Sequence, residues 1–167
     1  MPVDPNKHHR RSIRLPGYDY SCAGAYFVTM CAQGRERRFA TITRTGLQLS
    51  AAGLMLDAWW RKLPDKFLAV ALDVSVIMPD HMHGIVWLQP SSAEAVALGT
   101  TIQWFKTMTT NAYIRGVRND GWPAFDRRLW QRDYYERIVR DETALERIRT
   151  YIAANPARWL AARGDGS

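Results

Sequence analysis

The stretch from Val74 to Leu88 constrains the fold of this chain more than any other. Val74-Ser75-Val76-Ile77-Met78 and Ile85-Val86-Trp87-Leu88 are runs of β-branched and large apolar residues, joined by Pro79-Asp80-His81-Met82-His83-Gly84. Such runs read as strand leading into strand. Pro79-Asp80 between them marks a bend or bulge rather than a long loop. Side chains alternate across a strand, so His81 and His83 share one face while Met82 turns toward the core. Two imidazoles on one face are the start of a metal site. A pair of hydrogen-bonded surface histidines has the same spacing, and the motif alone does not separate the two.

Around this segment the pattern alternates between strands and helices, with no repeat and no low-complexity tract. Ala25 to Cys31 reads as a first strand, and Ile42 to Leu49 as a hairpin turning at Thr45-Gly46. Ser50 is a helix N-cap, followed by an expected inner face of Ala51, Leu54, Met55, Ala58 and Trp59, with Pro64 ending the helix. A second helix is expected from Leu98 to Arg115. It buries Leu98, Ile102, Phe105, Thr109 and Ala112 and stops at Gly116. Its other face carries Lys106, Thr107, Thr110 and Arg115, which suits either a phosphate backbone or plain solvation. Tyr134 to Val139 has strand character, and a last helix spans 141–162 with Asp141 and Glu142 in its first turn. The order predicts an α+β, ferredoxin-like antiparallel sheet with helices packed on one side, as a single domain over residues 1–167.

A chain of 167 residues with 47% hydrophobic composition can bury a core without staples. No apolar run is long enough to span a bilayer and the first residues lack a signal-peptide core, so the expected location is the cytoplasm, in association with the nucleoid. Cys22 and Cys31 do not form a Cys-x-x-Cys pair and are expected to be free thiols. The net charge of +7 points to a polyanionic partner, most plausibly nucleic acid, although a merely soluble basic surface has the same charge. Arginines cluster in the basic segment 1–24, which holds Arg11 and Arg14. They cluster again from Arg127 to Arg140, interleaved with Trp130, Tyr134 and Tyr135. Guanidinium groups among aromatic rings suit a groove for unpaired bases.

The last helix carries an apolar stripe of Leu145, Ile148, Ile152 and Trp159. Tyr151 and Asn155 lie four residues apart, one above the other on a single face. An amide oxygen can ligate a hard cation. Tyr151 also borders the apolar stripe, where an aromatic at helical spacing is commonly packing, and Asn155-Pro156 has the form of a kink or local stop.

Taken together, five segments resemble the HUH-type single-tyrosine transposases, and more narrowly the REP-associated tyrosine transposases of repetitive extragenic palindromes. They are Arg11 to Tyr20, Tyr26 to Thr29, Val76 to Gly84, Trp130 to Ile138 and Ile148 to Trp159, in the expected order along nearly the whole chain. The likeness implies a single-strand DNA endonuclease and strand transferase acting at palindromic hairpins. Tyr151 would be the nucleophile, forming a 5′-phosphotyrosine. His81, His83 and Asn155 would hold one divalent ion, Mg²⁺ or Mn²⁺, and Arg11, Arg14, Lys106, Arg132 and Arg137 would contact DNA. A monomer is favoured over a homodimer. Two further readings stay open. One is a hairpin-binding protein that does not cut, and the other a hydrolase holding Zn²⁺ at His81-Met82-His83.

Overall fold

The computed structural model describes residues 24–89 and 95–163. Four strands form one antiparallel sheet in the order β4-β5-β1-β6: Val70–Ile77, His81–Leu88, Gly24–Cys31 and Tyr135–Val139. A separate hairpin pairs β2 (Ala40–Thr43) with β3 (Gly46–Leu49). The helices are α1 (Ala51–Arg61), the short α2 (Leu63–Lys66), α3 (Leu98–Asp120) and α4 (Glu142–Ala162). This is the expected ferredoxin-like α+β architecture. No helix among the described residues is long and apolar enough to cross a membrane.

Strand alternation divides the core in two. Tyr26, Val28, Met30, Met82 and Val86 turn to one face and pack with Leu56 and Trp60 of α1 and Ile102 and Phe105 of α3. Ala25 and Ile85 turn to the other and receive Leu145, Ile148 and Ile152 of α4. The sheet is therefore covered on both faces, not on one as the sequence suggested. Gly84 lies on the α1 side, where an added Cβ would come within 2.5 Å of the Trp60 ring. Alanine there would overpack the core, at a cost of about 1–3 kcal/mol.

Several element ends depart from expectation for identifiable reasons. The buried face of α1 is Ala52, Gly53, Leu56 and Trp60, one residue later than expected, and Leu54 is 61% exposed. The segment is apolar nearly all round, so periodicity leaves its phase open. The phase is fixed by Gly53, whose missing Cβ admits the carbonyl oxygen of Phe39. Ser50 does cap α1, accepting from the Gly53 N–H. Pro64 opens α2 instead of closing α1. Helix α3 continues through Gly116, which makes room for the Trp122 ring, and ends at Gly121 with φ 71°. Helix α4 likewise runs through Pro156.

One polar clamp fastens α4 to the sheet. Between Leu72 and Ser75 the β4 register shifts, and Asp73 sits in that irregularity. Its carboxylate accepts from Arg149 Nε at 3.0 Å, Arg149 Nη2 at 2.7 Å and Trp87 Nε1 at 3.1 Å. The Arg149 hydrogen bonds are the main reason its pKa falls from 3.8 to about 2. A depressed carboxyl pKa adds stability that is complete above the unfolded value and lost as pH drops through the folded one. Asp73→Asn should therefore lower the melting temperature at neutral pH. The gap from wild type should close between about pH 4 and pH 2. A gap that stays constant in thermal melts across that window would show that the ionised carboxylate contributes nothing to the clamp.

Candidate active site

The site begins with the tight turn from β4 into β5. Met78 N–H donates to the His81 carbonyl at 2.7 Å, and Pro79 and Asp80 form the turn. Strand pairing then sets His81 opposite Cys31 and His83 opposite Thr29. Both imidazoles are buried on the α4 side, 4.7 Å apart between ring centroids. His81 Nδ1 lies 2.6 Å from the Asp80 carboxylate, whose other oxygen accepts from Arg35 Nε at 3.0 Å. An ionised carboxylate only accepts, so His81 Nδ1 carries the hydrogen and its Nε2 keeps a lone pair. His83 Nδ1 is 2.7 Å from Thr29 Oγ1. Its Nε2 is buried with no hydrogen-bond partner among the described residues. A buried, unpartnered ring nitrogen beside a carboxylate-oriented imidazole fits the donor set of a divalent-ion site.

Burial is the first cause of the low basicity of both rings. It pushes His83 down to about 3, helped by the charges of His81 and Arg35 and opposed by the Asn155 amide. Burial also lowers His81, against the opposing pull of Asp80. Neutral imidazole is the form that ligates metal.

Helix α4 brings the remaining groups. Asn155 is buried, and its Nδ2 donates to the Tyr151 carbonyl at 3.1 Å, which leaves Oδ1 for a ligand. Tyr151 is 39% exposed and lies outside the core. Its ring meets His83 at 5.4 Å and Phe27 at 6.0 Å, edge-on to both, and the Arg158 guanidinium stands 5.3 Å from its centre. The structure thus brings His81, His83, Tyr151 and Asn155 together. Two imidazole nitrogens and one amide oxygen fit a divalent ion with positions left for phosphate. No group of three His, Cys, Asp or Glu side chains able to hold a metal occurs among the described residues, as a zinc hydrolase would require.

The expected DNA contacts divide. Arg132 and Arg137 are exposed. Arg137 pairs across from Phe27 and so shares the face of the site. Lys106 is a correction: it is 8% exposed, and its Nζ donates to the carbonyls of Gln131 and Arg132 at 2.7 and 3.2 Å. It is an internal strut under the arginine loop, with a pKa pushed down to about 8 chiefly by burial. Arg11 and Arg14 lie outside the described residues. Tyr135 is exposed on the site face opposite Thr29, while Tyr134 packs against the core under α3. Sequence reasoning passed over Asp80 and Thr29 as partners of the imidazoles. Cross-strand register reveals Thr29, and adjacency to His81 was the available signal for Asp80.

Comparison with known proteins gives the family and the shared fold. Residues 59–155 match the family described as transposase, IS200-like. An uncharacterized protein of Haemophilus influenzae is 34% identical over 170 residues, covering 91% of each chain. The fold is shared with a REP-associated tyrosine transposase solved bound to a REP hairpin. That match has a TM-score of 0.63 at 20% identity and covers 89% of this chain and 77% of that one. A transposase candidate from Deinococcus radiodurans aligns with a TM-score of 0.51 at 15% identity, over 84% of this chain and 95% of its own. With more than half of its length matched by the family, this chain belongs to the IS200-like transposases.

Proposed function

We propose that this chain cuts and rejoins single-stranded DNA at palindromic hairpin elements, with Tyr151 as the nucleophile. The observation that carries this reading is the exposed Tyr151 ring held 5.4 Å from His83, whose Nε2 is buried without a hydrogen-bond partner among the described residues. The REP hairpin bound by the structural relative supports the same class of DNA partner. Tyr151 Oη would bond to phosphorus as the P–O3′ bond breaks. The phenol proton passes through water to the released 3′-oxygen. Because the 5′-phosphotyrosine retains the bond energy, a 3′-hydroxyl can later displace the tyrosine and rejoin strands without a nucleotide cofactor.

The residues divide the work. His81 Nε2, His83 Nε2 and Asn155 Oδ1 would hold Mg²⁺ or Mn²⁺, which supplies charge neutralisation and polarisation at the scissile phosphate. Asp80 and Thr29 orient the two rings from behind. Asn155 also ties the ligand set to the tyrosine backbone. Phe27, edge-on, and the Arg158 guanidinium both pack against the phenol ring. Helix α4 is docked on the sheet of its own chain, so one copy contains the whole constellation, which supports action as a monomer. Arg132 and Arg137, with Arg11 and Arg14, would track the phosphates, and Lys106 would act indirectly by holding the 131–132 backbone.

Tyr151→Phe removes one oxygen from a partly exposed ring, so fold and DNA binding should be nearly unchanged. The covalent protein–DNA adduct should vanish from a denaturing gel, while Tyr134→Phe and Tyr135→Phe still form it. Hairpin binding by wild type with no adduct at all would identify a non-cutting binder instead. His81→Ala and His83→Ala should each abolish divalent-dependent cleavage with little loss of DNA affinity, and Asn155→Ala should be milder because water can replace one oxygen. Undiminished wild-type cleavage in excess chelator would remove the metal from the scheme. If about five phosphates are contacted, the log–log salt slope on single strands should be roughly −3 to −4. Arg132→Ala and Arg137→Ala should each flatten it by about 0.7. Lys106→Met should lower the melting temperature and leave the slope alone; a flattened slope would make Lys106 a phosphate contact after all.

A further inference from the structure

Beyond Asn155, α4 offers one more large side chain on the same stripe. Tyr151, Asn155 and Trp159 follow at four-residue spacing, each step rising ~6 Å along the helix, the scale of one nucleotide in an extended strand. Trp159 belongs by sequence to the apolar stripe of α4, yet it joins neither core cluster. Its half-buried ring lies 6.2 Å from His81. Arg37 stands 5.3 Å from the ring centre and the exposed Arg163 lies over it at 3.2 Å. The ring forms one wall of a groove of about 760 Å³ between α4 and the β2–β3 hairpin, within the roughly 300–1,000 Å³ of ligand pockets. Arg37, Arg44 and the hydroxyl residues Thr41 and Thr43 share the lining with apolar residues such as Ile42 and Leu160, and Pro79 joins the groove to the turn that carries Asp80 and His81. Among the described residues, no acidic side chain lines it.

A flat indole, flanked by guanidinium groups and next to the imidazoles, matches the chemistry that holds an unpaired nucleotide: a ring for the base and cations for its phosphate. Threonine hydroxyls can donate to or accept from a base edge. We infer that this groove takes the base adjoining the scissile phosphate, stacked on Trp159, with Arg37 and Arg163 against the neighbouring phosphate. This inference rests on the cleavage reading above and adds a positioning residue to it. Stacking of the adjoining base would fix the direction in which the strand leaves the site, and so the alignment of the phosphate before Tyr151.

The test couples a change in the protein to a change in the DNA. Binding of a hairpin oligonucleotide with a single-stranded flank is measured on a Tyr151→Phe background, so that cleavage does not intervene. An abasic residue is stepped along the single-stranded flank, including both sides of the bond that wild type cuts. Loss of the base on one of the two sides should weaken binding roughly 5- to 150-fold, the range for one base–aromatic stack. With Trp159→Leu, which keeps apolar bulk and removes the π face, the same abasic change should cost little further. Trp159→Phe should keep most of the base dependence, which a purely structural role for the ring would not explain. Independent, multiplicative losses from Trp159→Leu and the abasic residue, or no abasic effect on either side, would overturn the inference. The two readings fail separately. Adduct formation by the Tyr151 protein without coupling removes the groove alone. Coupling at a position in an oligonucleotide that is never cut removes the nuclease reading and leaves the stacking site standing.

Discussion

Everything at the site depends on how β5 pairs with β1. The register sets His83 against Thr29 and His81 against Cys31, with Met82 on the opposite face against Met30. A slip of one residue would turn Met82 toward α4 and drive both imidazoles into the core formed with α1 and α3. That exchange is heavily disfavoured, because Met82 is fully buried there and its neighbours leave no room for polar rings. Gly84 reinforces the choice, since the closely packed Trp60 ring admits no Cβ at that position. The hydrophobic packing of one face thus fixes the chemistry of the other.

The second half of the constellation comes from a helix that could in principle sit elsewhere. Three apolar residues of α4 meet the sheet, a modest contact for a helix of 21 residues. Asp73 adds direction to it. Its carboxylate takes both nitrogens of the Arg149 fork, and that bidentate geometry holds the helix in rotation as well as in place. Arg149 precedes Tyr151 by two residues, so the clamp and the phenol turn together. The irregularity in β4 that presents Asp73 is a device of this kind rather than a flaw in the strand.

Much of this was legible in the sequence where local rules decide. The histidine spacing, the Tyr151–Asn155 pair and the Ser50 cap each follow from a period or a short-range hydrogen bond, and the structure has them in place; Asp141, expected in the first turn of α4, is its N-cap. What escaped depends on contacts between distant segments. The phase of α1 turned on one glycine meeting the Phe39 carbonyl, and the length of α3 on Gly116 meeting Trp122. Lys106 reads as a surface cation from composition, because nothing local signals that two carbonyls 25 and 26 residues later will take its ammonium. Trp159 shows the reverse error. Its spacing joins the apolar stripe, but the ring lies beside His81 among guanidinium groups, outside both core clusters.

The arginines serve two ends that a surface count would not connect. A chain of net charge +7 draws in a polyanion. The same field reaches the imidazoles, where Arg35 helps to lower the basicity of both His81 and His83. A histidine pair that took up protons would add positive charge and still bind phosphate, but it would lose the lone pairs a cation needs. Burial and nearby guanidinium groups hold the pair neutral, while Asp80 takes one Nδ1 hydrogen and also accepts from Arg35. The attraction of a polyanion and the neutral state of the two imidazoles, the form that the proposed divalent-ion site needs, therefore arise from one arrangement of charge.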